Sequence, residues 1–271
     1  MTMKLILLTG AAGGAARMIR PLLRETYRLR LSDRAPVADR HPDEEDVPAD
    51  LTDAEAVARA VEGVDGIVHF GGFSVEGPWE AILPANIEGT YNLYEAARQA
   101  GVRRIVFASS NHAVGFYRRD QTIGDNVTPL PDSRYGVSKV FGEALGSLYG
   151  HKYGMEILSI RIGNVLDRPV DARRLAIWIS PRDLVQLIGI GLERPGIRHE
   201  IVYGVSGNTR SWWDNSNAHR LGYRPQDDSE VFAEAVLAAD PGPSGDDVID
   251  LHQGGPFCRL EAGGGAGDPP P

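Results

Sequence analysis

The chain has 271 residues, of which 42% are apolar and 24% charged. That composition excludes global disorder and suits one large α/β domain, alone or with a small appendage. The formal net charge of -9 argues against nucleic acid or an anionic membrane as partner, so an anionic substrate must be met by a local positive group.

Apolar runs and their breakers define the elements in chain order. Residues 5–9 read as a buried strand ended by Gly10, and residues 14–24 as a helix with Met18, Leu22 and Leu23 on one face. A second strand, 27–31, stops at Ser32-Asp33, and 47–51 forms a short third strand. Asp53 caps a helix over 54–62. Strand 66–70 ends at Gly71-Gly72, and a helix over 87–100 stops at Gly101. Strand 104–109, a long helix over 133–153 and strand 156–162 follow. The alternation predicts right-handed βαβ units on a parallel sheet, that is, a doubly wound Rossmann α/β fold. Sites in such sheets lie beyond the carboxyl ends of the strands, where Gly10, Asp33, Gly71, Ser110 and Asn164 all fall.

Past residue 165 the pattern loosens into helices over 181–191, 214–221 and 229–239 and a strand over 200–203. The expected division is therefore a dinucleotide-binding core over 1–165 and a small C-terminal substrate-side cap over 166–260, woven onto the sheet. The Gly- and Pro-rich 261–271 reads as a disordered tail. The apolar start of the chain is too short for a membrane span. Cys258, the single cysteine, cannot form an internal disulfide and reads as a small filler. A cytoplasmic protein without a metal site is expected.

Thr9-Gly10-Ala11-Ala12-Gly13-Gly14-Ala15-Ala16 follows the first strand and opens the first helix. Gly10 allows a tight turn, Gly13 or Gly14 lets a pyrophosphate approach the backbone, and Ala16 is small enough for helix–strand packing. Asp33 lies about 20 residues further on, where a carboxylate accepts ribose hydroxyls and repels a 2′-phosphate. NAD is therefore expected over NADP, although the adjacent Arg34 could pair with that phosphate. Asp50-Leu51 could contact an adenine or simply mark a helix start. Phe70-Gly71-Gly72 offers bare backbone to a cofactor.

Tyr135-Gly136-Val137-Ser138-Lys139 places a tyrosine and a lysine at i and i+4, on one helix face. A nearby ammonium stabilises a phenolate and lowers its pKa from about 10. Tyrosinate can then take a proton from a substrate hydroxyl as hydride leaves, and the lysine can also hold a ribose. Ser110, at the end of the strand before this helix, can fix the reacting oxygen. Pro131-Asp132-Ser133 supplies the cap just before the tyrosine. His112 reads as a substrate contact or a satisfied loop histidine, not as a metal ligand.

Together these residues resemble the extended short-chain dehydrogenase/reductases, the NAD-dependent epimerase/dehydratase superfamily, from the glycine turn to Arg161-Ile162-Gly163-Asn164. Further segments resemble the bacterial uronate dehydrogenases to about residue 257. They are Asp65 to His69, Ser74-Val75-Glu76, Tyr91 to Arg98, Ile105 to His112, Val202-Tyr203-Gly204 and Trp212-Trp213-Asp214-Asn215-Ser216. The resemblance implies NAD-dependent oxidation of the anomeric C1 hydroxyl of galacturonate or glucuronate to an aldarolactone. It implies cofactor contacts at Gly14, Ala15, Asp33, Asp50, Leu51, Phe70, Gly71, Gly72, Phe73, Ser74, Lys139 and Val165. Substrate contacts are implied at Ser74, Ser110, Asn111, His112, Asn164 and Arg173. Arginine is the natural bidentate partner of a uronate carboxylate, and alignment on Trp178 favours Arg173 over Arg174. The family pattern has serine at position 164 and glycine at 16, so Asn164 leaves the preference between uronates open. A homo-oligomer is expected. Two other readings stand beside this one. A nucleotide-sugar epimerase or dehydratase usually carries a longer C-terminal region, and a non-catalytic dinucleotide sensor usually lacks the tyrosine or the lysine.

Overall fold

A computed structural model describes residues 3–242, 245 and 247–260. It begins with β1 (Leu5–Thr9), α1 (Gly14–Leu23), β2 (Arg28–Ser32), β3 (Glu45–Asp46), α2 (Ala54–Val61) and β4 (Gly66–His69). Next come α3 (Trp79–Ile82), a π-helical turn (Leu83–Glu88), α4 (Gly89–Gln99) and β5 (Arg104–Ser110). A 3-10 turn (Asn111–Val114), α5 (Arg134–Tyr153) and β6 (Glu156–Ile162) complete the first half. The second half holds β7 (Asn164–Val165), α6 (Arg174–Ile177), β8 (Trp178–Ile179), α7 (Pro181–Glu193) and β9 (His199–Gly204). It closes with α8 (Ser216–Arg220), α9 (Ala233–Ala239) and α10 (Val248–Leu251).

Seven strands form one parallel sheet in the order β3-β2-β1-β4-β5-β6-β9. Residues alternate across it. Ile6 and Leu8 face α1 and α7, where they meet Ala16, Ile19, Leu184 and Ile188. Leu5 and Leu7 face the other way, toward Val57 of α2, Leu93 of α4 and Leu145 of α5. A sheet covered on both faces needs the near-continuous apolar strands seen here. The winding reverses between β1 and β4, which opens a crevice at their carboxyl ends.

The helix carrying Tyr135 and Lys139 is docked unusually close. Gly142, Gly146 and Gly150 recur every fourth residue along α5 and face the sheet. A Cβ on Gly142 would stand 2.2 Å from the Phe107 ring, and one on Gly150 would stand 2.5 Å from the Arg198 carbonyl oxygen. Between them Glu143 accepts from Arg161 Nε and Nη2, both at 2.9 Å, and from Ser109 Oγ at 2.6 Å. One buried carboxylate thus ties α5 to β5 and β6.

Several expectations need correction. The third strand is Glu45–Asp46, not 47–51. Val47 N still donates to Leu31 O at 2.9 Å, but Pro48 has no amide and ends the ladder. The helix expected from 87 is α4, which starts at Gly89 after the π-helical turn with Pro84 at its head. The stretch 229–239 opens as a 3-10 turn before α9. The chain past 165 contributes β9 as the seventh strand and packs α7 against α1 in the same core. The tail expected over 261–271 lies outside the described residues. Among the described residues no helix is long and apolar enough to cross a membrane, and no group of three His, Cys, Asp or Glu could hold a metal.

Removing one partner of a buried ion pair strands the other charge. Glu143→Ala is expected to destabilise the fold by about 3–5 kcal/mol, measured by urea denaturation.

Candidate active site

The crevice is floored by two turns in contact. Gly10 has φ +69°, and a Cβ on it would stand 2.7 Å from Gly71 N, so only glycine fits. Gly13 N donates back to Gly10 O at 3.0 Å, closing the turn. α1 then starts with no side-chain cap, and a Cβ on Gly14 would meet nothing within 4 Å. Helix amides therefore open onto free space, as a pyrophosphate requires. Asp33 Oδ2 accepts from Ala12 N at 3.0 Å and Oδ1 from Ala35 N at 2.9 Å, so the turn itself orients this carboxylate. Asp50 instead accepts from the amide and hydroxyl of Thr52 at 2.9 and 2.8 Å, which hold its pKa down. Leu51 packs where a side chain on Gly71 would lie. The set fits an NAD adenosine and pyrophosphate.

Tyr135 and Lys139 share the buried face of α5, whose first turn is capped by Ser133 Oγ accepting from Gly136 N at 2.9 Å. Lys139 Nζ lies 5.3 Å from the centre of the Tyr135 ring and donates to the Ala108 carbonyl at 2.8 Å. Burial pushes the Tyr135 phenol up to about 12, against a Ser110 hydrogen bond that lowers it, while Asp132 adds to the rise. Burial alone brings the Lys139 ammonium down to about 8. Burial thus acts against both charged forms, raising the phenol and lowering the ammonium, which opposes the phenol shift expected from spacing alone.

The structure brings most of the remaining candidates together at the ends of β5 and β6. His112 Nδ1 lies 2.7 Å from Asp132 Oδ2, and its ring stacks on Phe257 at 3.7 Å and meets Tyr135 edge-on at 5.9 Å. Its amide donates to Ser110 Oγ at 3.2 Å. With its amide turned so that both ends are satisfied, Asn111 donates to the Ile162 carbonyl and accepts from Arg173 Nη2, both at 3.1 Å. Burial, then the nearby Arg119, lowers the Arg173 pKa to about 10. Asn164 and Val165 form β7, paired with Trp178 and Ile179, and Asn164 Oδ1 is a buried acceptor with no partner among the described residues. Ser74 is exposed on the loop after β4, beside Phe73.

Three residues at this site have no role assigned by the sequence, although His69 and Glu76 fall in segments that carry the resemblance. Glu76 accepts from Tyr135 N at 3.0 Å and from Arg134 at 2.9 Å, capping α5 from the loop after β4. Asn86, in the π-helical turn, brackets Phe73 by accepting from its N at 2.6 Å and donating to its O at 2.9 Å, and it also donates to Ser138 Oγ at 2.9 Å. His69 joins Thr9 at 2.7 Å to Thr90 at 3.4 Å, and burial followed by repulsion from Lys139 lowers its pKa to about 3.

The model of the NAD dependent epimerase/dehydratase family matches residues 6–179, and the chain belongs to that family. Within it, the chain is 51% identical over 255 residues to the uronate dehydrogenase of Pseudomonas putida, covering 93% of this chain and 95% of that one. The crystal structure of a glucuronic acid dehydrogenase from Chromohalobacter salexigens is similar at TM-score 0.93 and 47% identity, over 96% of this chain and 98% of that one. A tyrosine-to-alanine mutant of the Agrobacterium tumefaciens uronate dehydrogenase, complexed with NAD, is similar at TM-score 0.92 and 44% identity, over 96% and 98%.

A buried lysine with no carboxylate beside it works against the fold. Its lowered pKa means that the unfolded chain holds the proton more tightly between about 8 and the ordinary 10.5. Lys139→Met is expected to raise Tm at pH 7 while lowering activity. The gain in Tm should shrink as pH rises through that window, where the wild-type lysine loses its charge; thermal unfolding from pH 7 to 10 checks this.

Proposed function

We propose that the chain is an NAD-dependent uronate dehydrogenase that oxidises the C1 hydroxyl of galacturonate or glucuronate to the aldarolactone. The observation that carries this reading is the placement of Arg173, bonded to Asn111 in the same cleft as Ser110, Tyr135 and Lys139. A sugar bound with its carboxylate on Arg173 would lay its C1 end toward the phenol.

NAD, when bound across the glycine turn and Asp33, accepts the hydride from C1. The chain's own groups do the rest. Ser110 and the Tyr135 oxygen hold the C1 hydroxyl, and Tyr135 takes its proton as the C1–H bond breaks, leaving the lactone carbonyl. Lys139 must be charged to stabilise the phenolate that does this, and it also reaches the cofactor ribose. Asn164, with its unmet acceptor, serves a sugar hydroxyl. Ser74, Phe73 and Val165 line the junction between cofactor and substrate. The finer reading includes the cytoplasm, which suits a lone thiol, and a homo-oligomer. Tyr91, Val137 and Leu148, left exposed on α4 and α5, would support such an assembly.

The test is direct. NAD with galacturonate or glucuronate should give NADH, followed by its absorbance, and silence with both uronates would overturn the proposal. Tyr135→Phe should lower kcat by roughly 100-fold or more with NAD affinity unchanged.

A further inference from the structure

The last described segment returns to the cleft, and its centre is a glutamine. Gln253 is fully buried, and each of its polar groups is engaged. Its backbone N donates to Tyr117 O at 2.9 Å. Its side-chain Oε1 accepts from Trp213 Nε1 at 2.8 Å, and Nε2 donates to the carbonyls of Arg118 and Gln121 at 3.0 and 3.1 Å. The remaining group, its backbone carbonyl, accepts from Arg173 Nε at 2.9 Å. A buried amide satisfied on every side has one orientation open to it, so this carbonyl is a fixed point.

Two residues on, Gly255 has φ +61°, and a Cβ there would stand 2.7 Å from Arg173 Nε and 2.8 Å from its Cδ. The guanidinium therefore lies against bare backbone. Gln253 holds it through Nε and Asn111 through Nη2, which leaves Nη1 and the second hydrogen of Nη2 to a ligand. An arginine fixed before binding loses less freedom when a carboxylate docks.

We propose that Gln253 is a positioning residue for carboxylate recognition. Anchored by Trp213, it sets the plane of Arg173, and Gly255 provides the space. The segment Gln253–Gly255 thereby selects a sugar acid over a neutral sugar. The inference rests on Arg173 being the carboxylate partner, and its test separates the two claims.

The full-length chain is assayed with galacturonate and NAD, with NAD affinity followed by protein fluorescence. Arg173→Ala should raise the KM for galacturonate at least about 30-fold. Gln253→Ala should raise it about 10-fold, with kcat within about threefold and NAD affinity within about twofold. Trp213→Phe, which removes one donor and keeps an aromatic ring, should raise it about threefold. The double variant Gln253→Ala/Arg173→Ala should be no worse than Arg173→Ala alone, because the glutamine acts through the arginine. If Arg173→Ala raises KM while Gln253→Ala does not, or if their effects simply multiply, Gln253 is only structural and the proposal fails. An unchanged KM in Arg173→Ala would instead overturn the carboxylate assignment. If Gln253→Ala does not fold, Trp213→Phe decides the matter by the same coupling to Arg173.

Discussion

The catalytic arrangement depends on how closely α5 lies on the sheet. Gly142 and its four-residue neighbours remove the side chains that would hold the helix off, and Glu143 then reaches both Ser109 and Arg161. Only with the helix at that depth can Lys139 donate to the Ala108 carbonyl and Tyr135 sit beside Ser110. A helix one methyl further out would carry the same tyrosine and lysine to a place where neither meets the strand end. The ion pair adds direction to the contact, since a bidentate guanidinium–carboxylate pair tolerates little sliding.

Charge at the centre is arranged by exclusion. His69 lies beneath the site and is kept neutral by burial, reinforced by Lys139, so it does not compete for a positive charge. It serves instead as a link between Thr9 of β1 and Thr90 of α4. Burial alone, and no carboxylate among the described residues, acts on Lys139, while Asp132 is paired with His112. The lysine's charge is left for the phenol and the ligands, at the expense of fold stability.

The Rossmann half was legible because its signals are local. Apolar runs of five residues, the glycine turn, Asp33 at a strand end and the i, i+4 Tyr-Lys pair each fall within a short window. The site residues that were not legible act across long stretches of chain. Glu76 caps Tyr135 from the loop after β4, and Gln253 fixes Arg173 from the end of the described chain. A glutamate in a loop or a glutamine near a terminus looks like any surface residue until the fold buries it. Asn86 was hidden for a related reason, because it sits in a π-helical turn that reads as the ragged start of an ordinary helix. The third strand lies at Glu45–Asp46 and not over 47–51, because Pro48 lacks the amide that would carry the ladder on. Resemblance, not chemistry, was what pointed to Arg173, and only the structure shows how the arginine is held.

The hydrogen bond from Ala12 N to Asp33 Oδ2 bears on cofactor engineering. A designer seeking to accept a 2′-phosphate would first remove the acid at 33. Here that change also leaves the glycine turn tied to the end of β2 only by Ala11 N donating to Ser32 O at 3.3 Å, so the altered enzyme would gain room beside position 33 and lose order in the turn. Asparagine or serine at 33 would shed the charge and keep an acceptor for the Ala12 amide. In a directed library, position 33 is therefore better varied among small polar residues than opened to every amino acid.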